Sequence, residues 1–259
     1  MLFTDGPIST VDQLADYESE IRQVAAAESI NLDTKIRLAQ TELGVELLAT
    51  AVSPDGWNGY WVTPGFVRNV FRLDQVVITK ALQLWHIFAT LGNVYRDAYN
   101  RKLNDKYLPK WNEYQDLART AENQCMTMGL GVVYAPLPAP AAPQLTAVAG
   151  GTLGASNYFV QTTWVNAAGQ ESYPSPEAGL SVAAAQLLQV QPSPPPANAT
   201  GWIAYVALIS GQEQKQFYTP LNPFYAWTLP PTGLVAGPVP GNGQHYDILR
   251  TVPRTLQRG

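Results

Sequence analysis

Two histidines, one cysteine and a few paired carboxylates are all that this chain offers to reaction chemistry. His86 and His245 lie in different regions, whereas a zinc or iron site needs several ligands at close spacing. His86 sits beside Trp85 in a helical pattern and reads as a packed or partly exposed histidine. Cys125 is the sole cysteine, which excludes an intrachain disulfide and a multi-cysteine metal site. It falls on an apolar stripe, and as a nucleophile it would need a base within reach. Glu42 and Glu46 share a helix face, as do Asp16 and Glu20. Carboxylates so placed, with no apolar pocket around them, have no cause to change their acidity. No Walker loop and no dinucleotide fingerprint occurs, and the GTLGAS run at 151–156 precedes a strand pattern, so it reads as a turn. The expectation is a chain that is not an enzyme and takes no cofactor, metal or small-molecule substrate.

A denser set of chemical side chains lies at 95–111, YRDAYNRKLNDKYLPKW. Arg96, Arg101, Lys102, Lys106 and Lys110 stand there against Asp97 and Asp105. Aromatics interleaved with basic residues can stack on single-stranded bases, but only where the rings line an exposed groove. Tyr95 and Trp111 fall on apolar stripes instead, which assigns the rings to a core and the charges to outer faces. Those basic residues, facing the acidic first helices of a neighbouring copy, would supply electrostatic complementarity in an assembly; a merely solvated helix surface is the plainer alternative.

The elements that position these residues follow from composition. Charged residues make up 14% of the 259, against roughly 25% in average domains. The net charge is −4, opposite to that of a dedicated nucleic-acid binder. No apolar run approaches the ~18 residues of a membrane span, and the first residues lack the basic and apolar regions of a signal peptide. Charge gathers before residue 135, and proline gathers after it. This predicts an α+β chain of two domains: a helical domain at 1–135, a stiff Pro-rich linker at 136–143, a β-sandwich at 144–236 and a C-terminal arm at 237–259.

Thr10 with Gln13 forms a capping-box pattern ahead of Leu14, Tyr17, Ile21 and Val24. Asn31 or Asp33 can cap a helix burying Ile36, Ala39, Leu43 and Leu47. A third helix is predicted from about Asp74 to Leu103 on a stripe of Val77, Ala81, Leu84, Phe88, Leu91 and Tyr95. A fourth runs from about Pro109 to Met128 and closes a long antiparallel hairpin. Trp57, Tyr60 and Trp61 sit in a Pro- and Gly-containing loop and suit either an interface cluster or a local core. In the second half, 158–165, 181–190, 202–209, 216–219 and 224–229 read as strands between turns, and about seven strands make a sandwich.

The segment WHIFATLGNVYRDAYNRKLNDKYLPKWNEYQDLARTAENQCMTMGLGVVYAPLP, with NLDTKIRLAQTELGVELL before it, resembles head-to-tail adaptor (connector) proteins of tailed bacteriophages. LTAVAGGTLGASNYFVQTTWVNAAGQESYPSPE and ATGWIAYVALISG look like the immunoglobulin- or fibronectin-III-like modules of phage structural proteins. The resemblance implies a virion protein of the head–tail junction, made in the host cytoplasm. It implies a ring, commonly dodecameric, beneath the portal, with a next neck or tail protein below. DNA would pass through the channel without specific binding, and no membrane is involved. Within that picture, Arg96, Arg101, Lys102, Lys106, Lys110, Trp57 and Trp61 are expected at the ring subunit interface. The tail residues Tyr246, Ile248, Leu249, Arg250, Val252, Arg254 and Leu256 are expected to form a portal-docking arm, by adding a strand to an exposed edge. The alternative is a receptor- or glycan-binding adhesin using Trp164, Trp202, Tyr205 and Trp227.

Overall fold

The computed structural model describes residues 1–51, 72–102 and 105–250. Among these residues the chain is mixed α+β, with five α-helices and three antiparallel sheets. It divides into two units whose chain segments alternate: a helical unit of Gly6–Tyr134 joined by the return from Tyr246, and a β unit of Met1–Asp5 with Ala135–His245. The helical stretch ends at Tyr134, the first five residues group with the strands, and the C-terminal segment divides after His245.

In the helical unit, α1 (Val11–Tyr17) begins at Thr10 with the expected capping box. Thr10 N–H donates to Gln13 Oε1 at 3.0 Å and Gln13 N–H returns to Thr10 Oγ1 at 3.3 Å, satisfying two donors that a helix start leaves orphaned. The single first helix of the sequence reading is broken: α1 ends at Glu18, whose backbone is extended, and α2 (Ile21–Ala27) follows. Asn31 caps α3 (Leu32–Ala51) by accepting the Thr34 N–H at 2.9 Å. Its predicted face is buried at all four positions, Ile36, Ala39, Leu43 and Leu47.

The third predicted helix starts later than Asp74. Leu73–Gln75 is a 3₁₀ turn, Val76–Val77 is strand β1, and α4 is Lys80–Lys102, with Thr79 Oγ1 accepting the Leu82 N–H. The β-branched pair Val76–Val77 finds an antiparallel partner in β2 (Leu130–Val132), and that pairing displaces the helix start. Burial on α4 is wider than one stripe: Leu82, Trp85, Ile87, Val94 and Ala98 are buried along with Leu91 and Tyr95, while Ala81, Leu84 and Phe88 are half-buried. α4 lies against α1, α2, α3 and α5, so it presents no single wet face. α5 (Leu108–Met128) carries Pro109 in its first turn, where proline's missing N–H costs nothing. Met128, expected on its apolar stripe, is exposed.

The β unit holds two sheets around one apolar core. β3 (Gln144–Ala149), β6 (Gln186–Gln191) and β9 (Trp227–Thr228) form one in the order β3-β6-β9. β4 (Ser156–Val165), β5 (Ala178–Val182), β7 (Gly201–Ala207) and β8 (Gln214–Lys215) form the other in the order β5-β4-β7-β8. Tyr158, Val160 and Trp164 of β4 and Trp202, Ala204 and Val206 of β7 meet Leu188 and Val190 of β6 in the shared core. Alternation along β4 puts Tyr158, Val160, Thr162 and Trp164 on the inner face, as the period of two requires, and all four are buried. After β4, Ser172 and Ser175 take the place of a pairing strand. Each backbone N–H bonds a β4 carbonyl at 2.9 Å, and each hydroxyl accepts a β4 N–H at 3.0 Å. Pro174 and Pro176 lack the N–H groups that an ordinary ladder would use.

The proline-rich segment 136–143 is irregular, yet it is fastened to the β unit. Leu137 is buried in the core, and its N–H donates to Oε1 of buried Gln244 at 2.9 Å. Gln244 Nε2 in turn donates to the Ala135 carbonyl at 3.0 Å and to Gln170 at 2.8 Å. Asp5 accepts from Leu2 N–H at 2.6 Å and Ala139 N–H at 2.9 Å. Burial raises the Asp5 carboxyl above its ordinary range, and those two bonds offset part of the rise.

Candidate functional site

The α4–α5 hairpin is closed by rings from the aromatic and basic stretch. Tyr95 stacks on Tyr114 at 5.6 Å, Phe88 on Tyr114 at 6.4 Å, and Tyr99 leans on Trp111 at 5.7 Å. Offset stacking at these separations is worth about 0.5–1.5 kcal/mol per pair beyond area burial. Tyr95 and Tyr114 are buried and Trp111 is half-buried, so these rings are occupied in the core.

Part of the charge expected to face a neighbouring copy is used within the chain. Lys110 Nζ lies 3.0 Å from Glu18 Oε2 and 3.4 Å from Glu113, and Tyr114 Oη donates to the same Glu18 oxygen at 2.8 Å. Burial alone would raise the Glu18 carboxyl; the bonds from Tyr114 and Lys110 outweigh it and hold the group below the usual carboxylate range. Lys110 is pushed up, chiefly by its bond to Glu18. Arg101 Nη1 donates to the Glu28 carbonyl at 2.8 Å, and Tyr107 Oη donates to Glu28 Oε1 at 3.1 Å. Lys106 lies 5.6 Å from the Tyr107 ring centroid, within cation–π range. Arg96 is half-buried on α4. The Lys102 side chain, Trp57, Tyr60 and Trp61 lie outside the described residues. Sequence reasoning missed Glu18 and Glu28 as the internal partners; a carboxylate at a helix break was the signal available.

The tail contributes a strand to its own chain. Ile248–Arg250 is β10, antiparallel to β2, with Ile248 opposite Val132 and Arg250 opposite Leu130. Asp247 fixes the entry: its N–H donates to the Val132 carbonyl at 2.9 Å, and its carboxylate accepts the Tyr134 N–H at 2.8 Å. Tyr246 fills the space a side chain at Gly131 would take, since a Cβ there would stand 3.1 Å from Tyr246 Cβ and Cδ1. Ile248, Leu249 and Arg250 are exposed on this strand, together with Tyr246 and Tyr134. Val252, Arg254 and Leu256 lie outside the described residues.

His86 and Cys125 are both buried, and His86 is hydrogen-bonded at both ring nitrogens. His86 is fully buried, with Nδ1 2.9 Å from Ser9 Oγ and Nε2 3.0 Å from the Ile36 carbonyl. The carbonyl accepts from Nε2–H and the hydroxyl donates to Nδ1, a neutral imidazole by the bonding pattern. Burial lowers its pKa to about 4, with the Ile36 bond opposing. Burial and the nearby Glu122 raise the Cys125 thiol to about 11, which keeps it a thiol at neutral pH. Among the described residues, no group of three or more His, Cys, Asp or Glu could hold a metal ion, and no helix is long and apolar enough to cross a membrane.

Of the four aromatics considered for sugar stacking, Trp164, Trp202 and Tyr205 are buried and Trp227 is half-buried. The exposed rings of the β unit are Tyr218, Phe224 and Tyr225, none of them singled out by the sequence reading. No protein-family model matches the chain, and no curated protein matches it.

Proposed function

We propose that the chain is a structural neck protein of a tailed phage, a ring-forming adaptor placed beneath the portal that extends the DNA channel and joins head to tail. The observation that carries the reading is the α4–α5 hairpin, 23 and 21 residues long. Stacked aromatics stiffen it from within, and exposed polar and charged residues line the outer side of α5. A rigid element of this kind suits a contact repeated head to tail, which closes into a ring when the rotation allows. The residues that carry the adaptor resemblance, 31–48 and 85–138, coincide with α3, α4, α5 and β2. The acidic balance of the chain suits a passage that does not grip duplex DNA, because duplex affinity comes from Lys and Arg on phosphates.

The β unit reads as an immunoglobulin- or fibronectin-III-like sandwich. Its support is the order β5-β4-β7-β8 on one sheet, β3-β6-β9 on the other, and the core they share. The buried, hydrogen-bonded His86 and the buried Cys125 thiol fit a role without catalysis. For the portal-docking arm, the exposed side chains of Ile248 and Leu249 on a sheet edge are the supporting feature, since unpaired strand edges recruit further strands.

Negative-stain microscopy of the purified chain mixed with the portal protein of the same virus tests the reading. A ring of copies seated on the portal is expected; a portal that stays bare at saturating concentration overturns it. The adhesin alternative would have to rest on Tyr218, Phe224 and Tyr225 rather than on the buried tryptophans, and specific capture on a glycan array would favour it.

A further inference from the structure

The turn between β7 and β8 is held by two carboxylates that share one donor. Gly211, with φ +79°, points its N–H at Glu177 Oε2 and at Glu213 Oε1, each 3.1 Å away. Ser210 Oγ lies 3.0 and 2.9 Å from the two Glu177 oxygens. Glu177 is exposed and enters from the segment leading into β5, whereas Glu213 belongs to the turn and is buried, 3% exposed. Two ionised carboxylates on a single N–H repel each other, and a buried one has little water to screen it. One proton between them converts the repulsion into a carboxyl–carboxylate hydrogen bond, a strong charge-assisted contact.

Little else charged is at hand. β4, β5 and β7 contain no charged residue. Lys215, on β8, is engaged elsewhere: its Nζ lies 2.5 Å from Glu171 Oε1 and within 6 Å of the Tyr205 and Tyr218 ring centroids. We propose that the β7–β8 turn is a proton-operated latch: one proton shared by Glu177 and Glu213 fastens the turn to the entry of β5, and loss of that proton releases the turn together with its exposed Leu208 and Ile209. The assignment of the proton follows from the surroundings. Burial and the bond to Glu177 raise the Glu213 carboxyl, while the bond from Glu213 leads the influences that lower Glu177. The proton therefore rests on Glu213. A group whose folded pKa is raised stabilises the fold fully below its unfolded pKa and loses that contribution as pH rises through the folded value, so the latch opens toward higher pH. The proposal concerns the β unit alone and stands apart from the ring reading.

Residue-resolved hydrogen exchange on the full chain tests it. After correction for the intrinsic pH dependence of exchange, protection of the Gly211 amide should fall by about tenfold or more as Glu213 ionises, a tenfold change corresponding to a single pKa unit. Glu213→Gln, which cannot ionise, should remove that dependence. Carboxyl-carbon shifts of the unmodified chain supply a second measurement, with Glu177 expected to titrate first and Glu213 clearly after it. Protection at Gly211 that ignores pH, or two carboxyls that titrate together in the ordinary range, would overturn the proposal.

Discussion

The two units handle buried ionisable groups in opposite ways. The helical unit builds a neutral histidine and two ionisable carboxyl groups, Glu18 and Glu28, into or beside its core, each with named hydrogen-bond partners. The β unit packs Trp164 and Trp202 in a core of mainly apolar side chains and keeps its acids at the margins, Asp5 in the leading segment and Glu213 in a turn. A neutral imidazole and an ionised carboxylate both weaken when protonated, so the helical packing is vulnerable from the acid side. Burial raises the Glu213 carboxyl, so in the proposed latch the β7–β8 turn is vulnerable from the alkaline side. Buried polarity is tolerated wherever every member of the network is paired, and the sign of the vulnerability is set by which protonation state the partners select.

Trp202→Ala removes a fully buried ring whose Nε1–H also donates to the Tyr225 carbonyl at 3.1 Å, and should destabilise the β unit by about 3–5 kcal/mol. Denaturation followed by far-ultraviolet dichroism at a helix wavelength should leave the helical midpoint in place; a common shift of both signals would show that the units unfold together.

His86 gives the next effect. Its folded pKa of about 4 lies below the ordinary value of 6.5, so its contribution is complete above pH 6.5 and is lost as pH falls toward 4. The linkage amounts to about 3 kcal/mol over that window. Stability measured by urea denaturation across the window should fall by that order in the unmodified chain and vary much less in His86→Gln. Equal acid slopes in the two proteins would assign the acid limb to Glu18 instead, whose lowered carboxyl also loses its contribution as pH falls.

The returning strand β10 leans on a close contact between Gly131 and Tyr246. Gly131→Ala places a methyl group 3.1 Å from the Tyr246 ring and should cost roughly 1–2 kcal/mol. Hydrogen exchange should quicken at Ile248 and Leu249 well before it quickens in α4. Unchanged exchange along β10 would mean that Tyr246 yields without disturbing the ladder.

What the sequence made legible follows the same physical lines. The face of α3 was readable because it buries one stripe against one side, and Ile36, Ala39, Leu43 and Leu47 obey it. α4 was only half readable because helices meet it on several sides, which puts Leu82, Trp85 and Val94 inside without respect to a stripe. β4 was readable from its period of two, whereas β1, β2 and β10 are two or three residues long and too short to show a period. The charged residues of the hairpin were recognised, but the partners of Arg101 and Lys110 sit on the far side of the sequence at Glu28 and Glu18. A carboxylate at a helix break marks a candidate, but no local pattern says which basic residue it meets. The neutral state of His86 likewise depends on Ser9 and Ile36, neither of which neighbours it along the chain.

The hydrogen bond from Tyr134 N–H to the Asp247 carboxylate carries an architectural corollary. The chain leaves the helical unit at one end of that bond and rejoins it at the other, so the long excursion between them departs and lands at practically the same spot. Such a layout lets a module be exchanged by grafting without stretching its host. A short glycine splice in place of that excursion would need only to span the two chain ends that β2 and β10 already hold side by side.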